Sequence, residues 1–480
     1  MRTASLALTS LPADAPERVE LLGLRARAWQ YLDKPARAQR DIATAHAALD
    51  AQPRGGTVSM GSLTRLARIE ADIAQLGHDD VDRALAILAG LEARAAAHGI
   101  EVPDGWHVEL EVERLTRLAN AGRPHEAIAR FPGLVEECRG HEERLLGLVP
   151  GVVVALVQHG EGTAALGLVE HFMPVATAHS DSAPWAVSDI GTAGFLAAGL
   201  LGYLAPADDF MRIYDEQAVP FNVDLAGVSL TKGVLAMQTG RWAEARHELH
   251  ASSARYEFSD IQGRLVMSLA LEAVAAAAAG DQRAARELLE RAEAAPRSGM
   301  RSLEGYVRLL RLDALAWLRD PSVVDEALAQ WCHERGVARV ELEALHRAAV
   351  GEHARGDAGA VEQVVERALV IGEAMDGPRA AGIVAHLRAL AVGDVELALG
   401  AVQKLTAAGL WLPTDTTAVR LTRREAEIAS LAAAGLSSKE IAIRLTLSVR
   451  TVDSHLSRIF SKSGVRSRRE LATVLHLEQA

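Results

Sequence analysis

The chain has 480 residues, of which 49% are hydrophobic but only 4% aromatic, and carries a formal charge of −12. That length exceeds a single core and calls for several domains or a repeat array, while apolar content dominated by Ala, Leu and Val suits close-packed helices. Only Cys138 and Cys332 are available for pairing, which excludes a multi-disulfide secreted scaffold and points to a reducing cytoplasm.

Residues 1–16 hold one early Arg and a broken apolar run too short for a signal peptide, so they read as poorly ordered or as a cap on the first helical unit. Helical stretches near residues 21–49 and 63–97 flank a Pro- and Gly-bearing connection at 50–57. From Gly122 onward a pattern recurs: Gly, then Ala five residues later, then a bulky apolar residue four further. It stands at Gly122/Ala127/Phe131, Gly160/Ala165/Val169, Gly240/Ala245/Leu249, Gly280/Ala285/Leu289 and Gly393/Ala398/Val402, with a weaker copy at Gly356/Val361/Val365. The period is about forty residues, and copies demanded near 200–207 and 319–327 lack the signature.

Each unit reads as helix, Gly turn, helix: Gly ends the first helix in a left-handed conformation, and the small Ala lets the second approach closely. The fold class expected is all-α. Residues 17–410 should form an α-solenoid of roughly nine or ten hairpins, each burying its face only against its neighbours. Gly233, Gly240, Trp242, Ala245 and Leu249 resemble a tetratricopeptide repeat stretched by a few residues per unit. No obvious polar cap closes the first unit, so either residues 1–16 do so or the chain corresponds to the carboxyl part of a longer architecture.

The uncharged window at 190–207 fits a repeat helix better than a membrane span, because glycines and a proline interrupt it. Trp185, Phe195, Tyr203, Phe210, Tyr214 and Phe221 concentrate in one part of an aromatic-poor chain. Solenoids bind small molecules or proteins on a concave face, so this region, with Trp185, Tyr203, Phe210 and Tyr214 foremost, is the candidate for effector binding, against the plainer reading of a packed repeat junction. Catalytic patterns are weak. His247 and His250 share a helical face without a third ligand, His78-Asp79-Asp80 suits turn and cap chemistry, and Cys332 and His333 are sequence neighbours that do not face one another on a helix. No Gly-Lys dipeptide occurs, which excludes a P-loop. Neither an enzyme activity, a cofactor nor a metal is expected.

After a connector at 411–418, the character of the chain changes. From Arg420 onward there are 11 Lys/Arg against 6 Asp/Glu, so a basic tail follows an acidic body. Four helix starts crowd into residues 419–480: capping boxes Thr422/Glu425, Ser437/Glu440 and Ser467/Glu470, and the cap Ser448. Thr446-Leu447 joins the second and third helices by a turn as short as a helix-turn-helix requires. In the third, Val452, Leu456 and Ile459 recur on one face while Arg450, Asp453, Ser454, Ser457 and Arg458 fall on the other.

This segment resembles the LuxR-type (LuxR/FixJ) DNA-binding domain, through Leu421-Thr422, Arg424-Glu425, Glu427-Ile428, Gly435-Leu436-Ser437, Lys439 to Ala442, Leu445, Ser448, Thr451-Val452, His455-Leu456, Ile459, Lys462, Gly464-Val465 and Arg468. Two positions depart from the family pattern: Ser438 stands where Asn is frequent, and Asp453 where many members carry Lys or another base-reading residue. The resemblance implies a four-helix helix-turn-helix domain that binds double-stranded DNA, pairs as a homodimer through its last helix (Leu471, Val474, Leu475), and acts in transcription beside RNA polymerase.

A recognition helix enters the major groove, so Asp453, Ser454 and Ser457 are the expected base readers, with Arg450 and Arg458 contributing. Lys439, Thr451 and Lys462 are expected to clamp phosphates, and His455 to touch phosphate or pack. The function expected is a cytoplasmic, sequence-specific transcriptional regulator, free of the membrane, whose helical repeats sense a small-molecule or protein effector and mask or pair the DNA-binding domain. The rival is a protein-interaction scaffold with a degenerate DNA-binding domain, which the acidic Asp453 alone supports.

Overall fold

The computed structural model describes residues 2–12, 15–32, 34–53, 58–217, 225–260, 263–295, 301–320, 326–413, 423–433, 435–445, 447–463, 468 and 471. Among them every regular element is a helix, and the architecture is an α-solenoid followed by a helix-turn-helix domain. Asp side chains start many of the helices: Asp80, Asp281 and Asp357 each accept the backbone N–H three residues on, at 2.9 to 3.0 Å. The five signature glycines end the preceding helices with left-handed backbone, φ from +67° to +97°. Their partners Ala127, Ala165, Ala245, Ala285 and Ala398 are all buried.

Both positions counted by sequence as lacking the signature still make the turn, and the first does carry a copy, Gly202/Ala207/Met211. Gly202 takes φ +91° after the helix Ala186–Leu201, and Arg319 takes φ +56° where a glycine would stand, at a cost on the order of 1 kcal/mol. Residues 2–10 are a packed helix rather than a loose end, with Leu8 buried beside Leu22, Ala26 and Ala38. Trp411, assigned by sequence to the connector, is docked on the body: its indole N–H donates to Gln238 O at 3.0 Å and its ring meets Trp242 edge-on. Among the described residues, no helix is long and apolar enough to cross a membrane.

One expectation fails. The hairpins do not bury themselves only against sequence neighbours, because the array curls until distant turns touch. Arg339, 2% exposed, donates Nε to Val157 O (3.1 Å), Nη1 to Leu200 O (3.2 Å) and Nη2 to Asp376 O (3.1 Å). Val157 and Leu200 belong to the last turns of Val149–His159 and Ala186–Leu201, where helix carbonyls lack intrahelical partners. One guanidinium thus caps two helix ends that precede it by 182 and 139 residues. The Asp376 carboxylate accepts from Thr163 N at 2.7 Å, and Gln158 Nε2 donates to Ser302 O at 2.6 Å. At Gly377 (φ +98°) a Cβ would fall 2.8 Å from Leu201 O, so this contact admits only glycine. A sequence period reveals that units repeat; the rotation per unit, which decides whether turns meet, is set by packing angles.

The core also holds two neutral imidazoles. His346 Nε2 and His386 Nδ1 lie 2.8 Å apart, both side chains fully buried, and their other ring nitrogens have no partner among the described residues. Burial, with His386 and Arg347 beside it, pushes His346 well below the ordinary value; burial and then His353 push His386 down to about 4. Burial likewise pushes the Cys332 thiol up to about 12, so it is a packing residue and not a nucleophile.

Two outcomes are expected. Arg339→Leu strands the Leu200 and Asp376 carbonyls, while Val157 O keeps the Gly160 N–H at 3.1 Å, and should lower stability by on the order of 2 kcal/mol or more in denaturant titrations; a loss below about 1 kcal/mol would mean water replaces the guanidinium. The histidines ionise more readily unfolded, near 6.5, than folded, so their contribution is complete above that pH and is lost as pH falls toward 4. By pH 4 the deficit for His386 should be on the order of 3 kcal/mol, and His346→Leu/His386→Leu should show a shallower acid decline in melting temperature than the parent.

Candidate nucleic-acid interface

The basic segment folds around its own small core. Ile428, Ala429, Ala432, Ile441, Ala442, Val452, Leu456, Ile459 and Leu471 are buried together, drawn from Arg423–Ala433, Ser438–Leu445, Val449–Ser463 and the residue at 471. Gly435 leaves the first helix with φ +87°. Ser437 and Glu440 form the reciprocal box expected: Ser437 N donates to Glu440 Oε2 (2.7 Å), and Glu440 N to Ser437 Oγ (3.3 Å). Ser448 Oγ accepts Thr451 N at 3.1 Å and starts the third helix. Arg424 donates to Leu445 O (2.7 Å) and ties the first helix to the end of the second. Thr422, Thr446, Ser467 and Glu470 lie outside the described residues.

On Val449–Ser463 the apolar stripe is buried and the opposite face is open. Arg450, Asp453, Ser454, Ser457 and Arg458 are all exposed with the rest of the chain present, so in this structure the solenoid leaves this face uncovered. Lys439, at the start of the second helix, is exposed as well; Thr451 is half-buried, its hydroxyl 2.7 Å from Ser448 Oγ. His455 is half-buried and its Nδ1 has no partner among the described residues, so this nitrogen is shielded rather than offered to solvent. The Lys462 side chain and residues Val474 and Leu475 fall outside the described residues. Leu471 is fully buried in the domain core and so offers no surface for pairing.

The two positions that depart from the family pattern touch. Ser438 Oγ donates to Asp453 Oδ1 at 2.6 Å, and Arg468 Nη2 reaches the same Ser438 oxygen at 2.6 Å while its Nη1 donates to Leu436 O at 2.6 Å. Arg468 therefore braces the turn, the second helix and the recognition helix through one serine. The sequence marked Ser438 and Asp453 separately; their joint departure at fifteen residues' separation was the signal that they pair. A carboxylate with one oxygen engaged inside the domain keeps the other for a base-edge donor such as cytosine N4.

The effector residues fare differently. Trp185 and Tyr203 are exposed, Phe210 is half-buried against the helix carrying Gly194, and the Tyr214 side chain falls outside the described residues. A cavity of about 1220 Å³ opens on the array, and the helix Ala186–Leu201 contributes Asp189 and Phe195 to it, the latter one of the same aromatic group. Among the described residues no group of three or more His, Cys, Asp or Glu could hold a metal; His250 instead pairs with Glu272 at 2.9 Å.

Short second helix, tight turn, third helix with an exposed polar face on a basic module: this is a helix-turn-helix of the DNA-binding class. Residues 419–475 match the family described as bacterial regulatory proteins, luxR family, and the segment is a LuxR-family DNA-binding domain. It is 48% identical over 50 residues to the response regulator Rre1 of a Synechocystis strain, covering 10% of this chain and 22% of that protein. It is 47% identical over 51 residues to the oxygen regulatory protein NreC of Staphylococcus aureus, covering 11% of this chain and 24% of that one. The matches thus span about a quarter of those relatives' length, and the helical array stands outside them.

Binding-site selection should separate the roles. Asp453→Ala should change the preferred base at its position by about 1–3 kcal/mol of discrimination, and Ser438→Ala, which frees the carboxylate, should alter the same position. Lys439→Ala should weaken all sequences alike and reduce the salt slope by about 1. An unchanged consensus for Asp453→Ala would remove that residue from the reading face.

Proposed function

We propose that the protein is a sequence-specific transcriptional regulator in which a tetratricopeptide-like helical array senses an effector, small molecule or protein, and controls a carboxyl-terminal LuxR-type helix-turn-helix. The observation that carries this reading is the exposed polar face of Val449–Ser463 on a basic LuxR-family domain. In it, Asp453, Ser454 and Ser457 read bases with Arg450 and Arg458, while Lys439, Thr451 and Lys462 hold phosphates. Val474 and Leu475 pair two domains on a two-fold or tandem site, and RNA polymerase is the downstream partner. No catalytic step is assigned.

Because the reading face is open with the array present, control by pairing or orientation is favoured over occlusion. Any effector acts by binding one arrangement more tightly than another. The competing reading, an interaction scaffold with a degenerate domain, draws on Asp453; its hydrogen bond to Ser438 gives that carboxylate a place within an intact domain instead.

Titrating the full chain against duplex DNA over a range of salt should give log affinity falling with log salt, with a slope of about −4 or steeper for a dimer contacting two or more phosphates per domain. A scaffold would show no such slope. The fragment 415–480 should bind a half-site no more tightly than the full chain does; a large gain would mean that the array occludes the domain after all.

A further inference from the structure

The cavity on the array has two chemically distinct parts, and DNA binding uses neither. The larger, about 1220 Å³, has an apolar stretch of wall from successive helices, among them Phe195, Leu230, Met267, Leu271 and Leu315, beside charged groups such as Arg27, Asp72, Asp189, Arg264 and Glu293. A smaller space of about 400 Å³ shares Gly151, Glu304, Arg308 and Trp331 with it, so the two adjoin. Among the described residues, this antechamber is lined by Arg123, Arg301, Arg308 and Arg335 against a single carboxylate, Glu304.

The charge balance at its surface is what points to a ligand. Glu304 pairs with Arg308 at 2.6 Å, but Asp82, Asp79 and Glu334, which answer the other three arginines, do not line the space. The Arg335–Glu334 contact is loose at 3.8 Å, and exposed pairs of this kind contribute little, so an incoming anion can take over a guanidinium. Arg308 and Arg335 are also held in place: their guanidinium carbons sit 4.6 and 4.5 Å from the centre of the Trp331 ring. The backbone at Arg301 and Ser302 is fixed by two N–H donations to Asn120 O, at 2.7 and 3.0 Å. A guanidinium cluster set in advance binds carboxylate or phosphate without further ordering.

We propose that this two-part space binds an anionic amphiphile, with an acyl-chain-like body in the apolar chamber and a carboxylate or phosphate head among Arg301, Arg308 and Arg335. A neutral sugar would gain nothing from the guanidinium cluster, and a bare anion would leave the chamber unused. The chamber exceeds the usual range of ligand pockets, roughly 300–1000 Å³, so a long chain fits. Such an amphiphile supplies the ligand class for the effector-sensing reading and depends on that reading only for its use; binding itself stands apart from DNA.

The test is calorimetric titration of the full-length protein with decanoate, decyl phosphate, decanol, butanoate and inorganic phosphate. Decanoate and decyl phosphate should bind, and the tighter of the two identifies the head. Decanol should bind at least about tenfold more weakly, the loss of one hydrogen bond to a charged group. Affinity should rise about fourfold per methylene from butanoate to decanoate. Arg308→Gln/Arg335→Gln should bring decanoate down to the level of decanol, and Thr192→Trp, which narrows the chamber, should weaken binding of both.

Equal affinity for decanol and decanoate would overturn the proposal, as would inorganic phosphate binding as tightly as decyl phosphate. Insensitivity of decanoate to the arginine substitutions would do the same. The chain-length series needs no variant, so misfolding of Thr192→Trp leaves the question decided. DNA affinity measured without ligand on the same proteins keeps the two readings separable: a dead cavity leaves DNA binding intact, and absent DNA binding leaves the cavity result standing.

Discussion

The array depends on one buried side chain more than on any repeated contact. Arg339 carries its charge into a site 2% exposed and directs its donors to carbonyls at Val157, Leu200 and Asp376. Desolvating a guanidinium is expensive, and burial pulls its pKa down to about 10 despite Glu343 nearby. What offsets that cost is the set of helix-end carbonyls it satisfies, groups that carry the negative end of each helix dipole. Helices from two distant stretches are thereby held at one point, and the solenoid becomes a closed coil instead of an open ribbon.

Closure in turn creates the interior. In a ribbon the concave face is a groove open to water; here residues from Arg27 to Trp331 face a common chamber. The arginine-rich antechamber exists because the backbone at Arg301 and Ser302 is tied to Asn120, bringing together side chains far apart in sequence. The DNA-binding domain repeats the logic on a smaller scale: Arg468 reaches Leu436 O and Ser438, and through Ser438 the recognition helix at Asp453. In both places an arginine's planar set of donors joins elements that a single ammonium could not span.

Some of this was legible in the residues. Local rules are written locally, so the capping box Ser437/Glu440, the cap Ser448, the left-handed signature glycines and the buried stripe Val452/Leu456/Ile459 could all be read directly. The LuxR-type resemblance was carried by the same short-range pattern and agrees with the family match at 419–475. The effector residues were less legible. Aromatic density marked Trp185, Phe195 and Tyr203, of which Phe195 lines the cavity, but the rest of the wall includes many aliphatic side chains whose spacing is that of any repeat helix. Leu471 looked like surplus apolar surface, yet the domain core consumes it, because the count of core positions depends on how the helices cross.

Residue patterns alone were enough to specify the helices, their starts and stops, the forty-residue repeat and the division into an acidic array and a basic DNA-binding tail. Those features follow from backbone conformation and side-chain period, which act over a few residues. It took the packed molecule to settle that the array closes on itself, that Ser438 and Asp453 meet, and that four arginines face one space. Each of those is a coincidence of distant segments, fixed by interhelical angles that accumulate along the chain and that no local pattern encodes.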